Sequence, residues 1–182
     1  MTNSLAKNPL SKTGSNIFLV GFMGSGKTYW GKKWSLACGV DFFDLDESIE
    51  AAQKKTIVKL FEEEGEVFFR QVETSVLKTF YKTKNYIIAC GGGTACFNDN
   101  MQWMNENGLT VYLSATPQYI LGRVLTEQDK RPLIKNLNPA ELLFFIEQKL
   151  KQRQPFYNQS KIILQVEDIK ADFVPGFIPL HK

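Results

Sequence analysis

Between Gly21 and Thr28 the chain reads Gly-Phe-Met-Gly-Ser-Gly-Lys-Thr, a G-x-x-x-x-G-K-[ST] loop set directly after the apolar run Ile17-Phe18-Leu19-Val20. A buried strand that ends in glycines and runs into a helix turns free backbone N–H groups and the positive end of the helix dipole toward an anion. Chains of this length match the pattern by chance at a rate of about 1%, and the strand before it lowers that further. The loop therefore constrains the chain to a strand–loop–helix opening built to hold phosphate. On this reading backbone amides of Gly24, Ser25, Gly26, Lys27 and Thr28 wrap the β-phosphate of a nucleoside triphosphate. Lys27 reaches the β/γ oxygens, and the Thr28 hydroxyl ligates Mg²⁺.

Strand-length apolar runs recur at Ile17–Gly21, Val40–Asp44, Tyr86–Cys90, Thr110–Leu113 and Lys161–Val166, with helix-period segments between them. Short continuous runs alternating with helices predict an α/β fold with a parallel sheet covered on both faces. The first helix is expected from Lys27 to about Cys38, stopping at Gly39. Ile57, Leu60 and Phe61 begin an apolar stripe that Phe69, Val72, Val76 and Phe80 continue, and Gly65 between them predicts two helices with a break. Pro117 and Pro139 open two further helices. The polar stretch Thr126-Glu127-Gln128-Asp129-Lys130-Arg131-Pro132 reads as a mobile flap, spanning about 126–135. Pro155 reads as a helix end.

At 182 residues the chain fits one domain, large enough to bury about 70% of the surface of its unfolded form. Residues 1–13 are expected to be a frayed tail. The formal charge is +3 with no basic run, which argues against nucleic acid as a partner. No apolar stretch approaches the ~20 residues of a membrane helix. Three cysteines without a C-x-x-C pair point to reduced thiols and a cytoplasmic location, with Cys38 and Cys90 as small core residues. The single histidine is His181. Chemistry must therefore run on carboxylates, Lys, Arg, backbone amides and a hard cation.

Asp44 and Asp46 close the second strand at i and i+2, a spacing that points both the same way on an extended chain. At the carboxyl edge of a parallel sheet they would face a ligand; equally, Asp46 could cap the next helix. Gly91-Gly92-Gly93 permits close backbone approach to a ligand, or a flexible loop. Arg70 has Glu66 at i−4 and Glu73 at i+3, the spacing of an ordinary helical ion pair, and taken alone it reads as one. Arg131 is either a solvated charge or a cation that closes over phosphates, and Arg153 is unremarkable alone.

In order and spacing, these elements resemble shikimate kinase. They are the Gly21–Thr28 loop, Phe43-Asp44-Leu45-Asp46, Gly65-Glu66 leading to Phe69-Arg70-x-x-Glu73, Gly91-Gly92-Gly93, Arg131-Pro132-Leu133 and Arg153-x-Pro155-x-Tyr157. The likeness covers about Asn16 to Val166. It implies a P-loop NTPase-type, five-stranded parallel sheet of the nucleoside-monophosphate-kinase kind with a lid, transferring the ATP γ-phosphate to the 3-hydroxyl of shikimate. By the same resemblance, Lys27, Asp46 and Arg131 would be catalytic, with Asp46 holding the acceptor hydroxyls. Arg131 and Tyr29 would join the phosphate loop at ATP, and Asp44 would reach Mg²⁺ through water. Arg70 and Arg153 would grip the shikimate carboxylate beside Gly91, Gly92 and Gly93, in a monomer. Tyr29-Trp30 and Asn158–Lys161 depart from the family pattern. A bulkier nucleotide pocket and altered support near Arg153 are the corresponding expectations.

Overall fold

A computed structural model describes residues 16–82, 85–126, 134, 136–176 and 178. The segment 1–13 and most of the flap, including Arg131, lie outside the described residues. Five strands, β1 (Asn16–Val20), β2 (Asp41–Asp44), β3 (Tyr86–Ala89), β4 (Gly108–Ser114) and β5 (Ile162–Gln165), form one parallel sheet in the order β2-β3-β1-β4-β5. All of β1 is buried, as its continuous apolar run predicts for a central parallel strand. Alternate residues face opposite layers: Ile17 and Leu19 enter one core with Trp34, Val111 and Ile146, whereas Phe18 and Val20 enter the other with Leu45, Phe69 and Tyr157. After β3 the chain crosses to the other side of β1. A parallel sheet binds ligands in the crevice beyond its strand ends at such a switch point.

Helix α1 (Lys27–Cys38) starts after Gly26 and stops at Gly39, both left-handed with φ of 87° and 68°. It packs on the sheet through Trp30, Gly31, Trp34 and Cys38, at steps close to the helical period. Helix α3 (Ile57–Thr79) is interrupted at Gly65, whose φ of 80° and ψ of 172° are not helical, as the stripe predicts. Helix α5 (Pro117–Leu125) opens on its proline behind a Thr116 cap, and α6 (Pro139–Tyr157) opens on Pro139 behind an Asn138 capping box. Cys38 and Cys90 are both buried core residues. Among the described residues, no helix is long and apolar enough to cross a membrane.

Two local expectations are corrected, and one helix is added. Helix α2 (Leu45–Gln53) begins immediately after Asp44, so Asp46 stands in a helical first turn and the extended i, i+2 geometry does not apply. The cap is Asp44, whose Oδ1 accepts the Asp46 N–H at 3.1 Å; a short acceptor before a helix satisfies an otherwise orphaned amide. Pro155 lies inside α6, which continues to Tyr157, because a proline near a helix end forfeits one hydrogen bond without removing the last turn. A further helix, α4 (Asn100–Asn107), occupies a stretch with no clear stripe, held by Met101 and Met104.

The chain after β5 also joins the core. Trp34 Nε1 donates to the Phe173 carbonyl at 3.0 Å, and Ile178 is buried beside the same layer.

Candidate active site

A cleft of about 860 Å³ opens at the carboxyl ends of β1, β2 and β3. Its floor at one end is the phosphate loop. Gly24, with φ 77°, packs so closely on α5 that a Cβ would come within 2.9 Å of Val124 Cγ2. Ser25 is fully buried under the loop, and its amide donates to the Phe22 carbonyl at 3.2 Å. Lys27 is nearly buried, its Nζ donating to the carbonyls of Gly21 at 2.8 Å and Phe22 at 2.9 Å. Those carbonyls place the ammonium across the loop mouth, where phosphate oxygens would replace weaker acceptors. Tyr29 lines the cleft half-exposed, while Trp30 turns into the core. The bulk of that pair is therefore shared between cleft and core.

The Thr28 hydroxyl donates to Asp44 Oδ2 at 2.9 Å, so two hard oxygen ligands sit side by side at the N-terminus of α1. Among the described residues, no cluster of three His, Cys, Asp or Glu side chains could cage a metal alone. A hydroxyl beside one carboxylate does fit Mg²⁺, which keeps several waters and takes few protein ligands besides phosphates.

Asp46 lines the same cleft. Burial raises its carboxyl to about 6, with Asp44 and Glu73 adding repulsion and Lys27 opposing them. A carboxyl poised there accepts a hydrogen bond near neutral pH and can hold a proton slightly below it.

Across the cleft Arg70 is tied down on every side. Its Nη1 donates to Glu73 Oε2 at 2.7 Å, its Nη2 to Glu66 Oε1 at 3.1 Å, and its guanidinium stacks 4.1 Å from the Phe97 ring. Both helical partners read from the spacing are thus real, yet Arg70 still lines the cleft. Glu73 is itself buried and receives the Thr94 hydroxyl at 2.5 Å. Arg153 approaches from α6. Its Nη1 donates to the Gly92 carbonyl at 3.1 Å, and it lies over Phe22. Among the described residues Arg153 forms no ion pair.

The glycine triplet is where these groups meet. A Cβ on Gly91 would lie 2.8 Å from Asp46 Oδ1, one on Gly92 3.3 Å from the Met23 amide nitrogen, and one on Gly93 2.8 Å from Arg70 Nη2. Each side chain would displace a different part of the site.

Sequence reasoning missed three contributors. Arg123, beside Gly122 on α5, lines the cleft with its guanidinium 5.2 Å from the Tyr119 ring; its place off the Ile120–Val124 stripe was the available signal. Phe61, read as core stripe, instead forms a cleft wall with Phe69, ring centroids 4.5 Å apart. Tyr157, known only as part of a motif, donates its hydroxyl to Gly92. None of residues 158–161 lines the cleft; Lys161 ties that turn to Gly108 instead.

The model of the family described as "Shikimate kinase" matches residues 23–174. A shikimate kinase of Bacteroides thetaiotaomicron is 40% identical over 154 residues, covering 85% of this chain and 88% of its own. A crystal structure of shikimate kinase from the same organism superposes with a TM-score of 0.83 at 38% identity, covering 88% and 91%. One from Acinetobacter baumannii in complex with shikimate gives 0.74 at 36%, covering 83% of each chain. The glycine-rich loop before α1, Asp46, Arg70 and Arg153 share one cleft, and the chain belongs to the shikimate kinase family.

Proposed function

We infer that the protein transfers the γ-phosphoryl group of ATP to the 3-hydroxyl of shikimate, giving shikimate 3-phosphate and ADP, a step in aromatic amino-acid (chorismate) biosynthesis. The observation that carries this reading is the joint placement of the phosphate loop and the Arg70–Gly93–Arg153 wall in one cleft.

A loose phosphoryl transition state asks for positioning and charge neutralisation more than for a strong base. Lys27 is assigned to the β/γ oxygens and Asp46 to orienting the acceptor hydroxyl in line. Orientation of this sort supplies up to about 7–11 kcal/mol. Arg153, which has no acid partner among the described residues, is assigned to the shikimate carboxylate. Arg70, already held by two glutamates, adds a fixed second donor. The backbone of Gly91, Gly92 and Gly93 contacts the ring from below. Thr28, and Asp44 through water, would hold Mg²⁺, whose chemistry here is neutralisation of phosphate charge. Tyr29 is assigned to the nucleotide. Arg131 is assigned to the ATP phosphates by family resemblance alone, and closure of the flap would exclude water.

ATP and shikimate are the partners on this reading, with neither nucleic acid nor membrane, for a cytoplasmic monomer. Calorimetric titration of shikimate with and without ADP and Mg²⁺, beside a coupled assay offering shikimate or gluconate, tests it. Binding strengthened by nucleotide together with turnover of shikimate alone is expected. Turnover of gluconate but not shikimate would replace the substrate.

A further inference from the structure

The Gly92 carbonyl accepts two hydrogen bonds from a single turn of α6, one from Arg153 Nη1 and one from the Tyr157 hydroxyl. The two donors differ in kind. Arg153 lines the cleft, whereas Tyr157 does not: it is completely buried, its ring 5.0 Å from that of Tyr112. Burial holds the Tyr157 phenol protonated well above its usual range, so it stays a donor at every working pH.

Gly92 is also the point at which the acceptor side of the cleft touches the donor side. A Cβ there would stand 3.3 Å from the Met23 nitrogen and 3.8 Å from the Gly21 carbonyl oxygen. That same Gly21 oxygen accepts the Lys27 ammonium. A shift of Gly92 would therefore move the floor of the acceptor pocket relative to the phosphate loop.

We propose that Tyr157 is a positioning residue for phosphoryl transfer: from behind the cleft its hydroxyl anchors Gly92. Arg153 is thereby free to turn its remaining N–H donors to an acidic group on the substrate. Without that hydroxyl, Arg153 alone must hold the Gly92 carbonyl and the substrate together. A guanidinium has five donors in a rigid fork, so satisfying one acceptor restricts its aim at another.

The proposal rests on the shikimate kinase reading, and its test separates the two. Tyr157→Phe keeps the ring and its packing and deletes only the hydroxyl; Tyr112→Phe, which removes a hydroxyl from the facing ring, is the control. The measurements are KM for shikimate and for ATP, ADP formed per shikimate 3-phosphate, and the melting temperature. In Tyr157→Phe the shikimate KM should rise about three- to tenfold, the worth of one neutral hydrogen bond, with ATP KM unchanged. ADP should be released in excess of phosphorylated shikimate, because a displaced acceptor leaves the phosphoryl group open to water. Tyr112→Phe should match the wild type. Wild-type constants in Tyr157→Phe overturn the proposal and leave the family reading intact. A parallel loss for both substrates with a lowered melting temperature also overturns it, as a purely structural effect. A wild-type enzyme that phosphorylates no shikimate overturns both.

Discussion

Glu73 holds Arg70 at 2.7 Å with a carboxylate only 1% exposed, whereas Arg153 reaches the same cleft with no ion pair among the described residues. The two arginines should therefore respond differently to removal. A charge-assisted hydrogen bond contributes about 1.5–3 kcal/mol, so either Arg70→Ala or Arg153→Ala should raise the shikimate KM roughly ten- to a hundredfold with ATP binding nearly unchanged. Only Arg70→Ala also strands a buried carboxylate, at about 1–3 kcal/mol of stability. Steady-state kinetics paired with thermal melts check this; equal loss of ATP and shikimate affinity would make the arginines structural.

Asp46 combines a catalytic assignment with a cost to stability. Its folded pKa, raised to about 6 from an ordinary 3.8, means that the folded state binds more protons between those values. Stability from this group therefore falls as pH rises through that window, and at pH 7 the full penalty is present. Asp46→Asn should lose most turnover yet melt higher at pH 7, by something of order 1–3 kcal/mol, with the gap closing below about pH 4. In the wild type, kcat/KM should fall as pH drops through about 6, as the carboxylate acquires its proton. A flat profile from pH 5 to 8 would remove Asp46 from the acceptor hydroxyl.

Much of this arrangement was legible in the sequence because it rests on backbone rules. A glycine-bounded loop after an apolar strand leaves few options, and Gly65 within an apolar stripe announces a break. What was not legible depends on packing between distant segments. Helix α4 turns Met101 and Met104 inward beside the buried amide Asn100, with Trp103 packed against the same core, and Phe173 and Ile178 follow no period at all, yet they cover Trp34 and its layer. Arg70 shows the same limit from another side: its i−4 and i+3 partners could be read locally, but not that Gly93 brings the cleft to its guanidinium. Asp44 and Asp46 reached one cleft by a route the extended spacing did not foresee, one as helix cap and the other in the turn it caps.

The glycine triplet allows substitutions whose effects can be told apart. Gly93→Ala would press its methyl against Arg70 Nη1 and Nη2, at 2.9 and 2.8 Å, and Gly91→Ala against Asp46 Oδ1 at 2.8 Å. Both obstacles are side-chain atoms rather than backbone, although Arg70 is held by Glu66 and Glu73, so the fold should survive at some cost in stability while the site is displaced. Gly93→Ala should raise the shikimate KM as Arg70 moves, and Gly91→Ala should lower kcat as Asp46 loses its aim. Kinetics in which both variants change the same parameter equally would count against these separate roles.

Lys27→Ala should abolish turnover in a protein that still folds, since the Lys27 ammonium donates to the loop carbonyls of Gly21 and Phe22 and takes part in charge neutralisation rather than core packing. Circular dichroism and a coupled ADP assay decide it. Residual activity near the wild-type level would dismantle the proposed arrangement at the phosphates.

Gly65 offers the test of how the shikimate wall is aimed. Its φ of 80° and ψ of 172° belong to a region open essentially to glycine, and no atom lies within 4 Å of a Cβ built there. Any penalty in Gly65→Ala is therefore backbone strain, of order 1–3 kcal/mol, and not a clash. The chain can relieve that strain by straightening α3, which would rotate Phe61, ahead of the kink, away from Phe69 and Arg70 behind it. The variant should melt lower and bind shikimate more weakly while nucleotide binding holds. A lowered melting temperature with an unchanged shikimate KM would show that the kink shapes the helix without aiming the site.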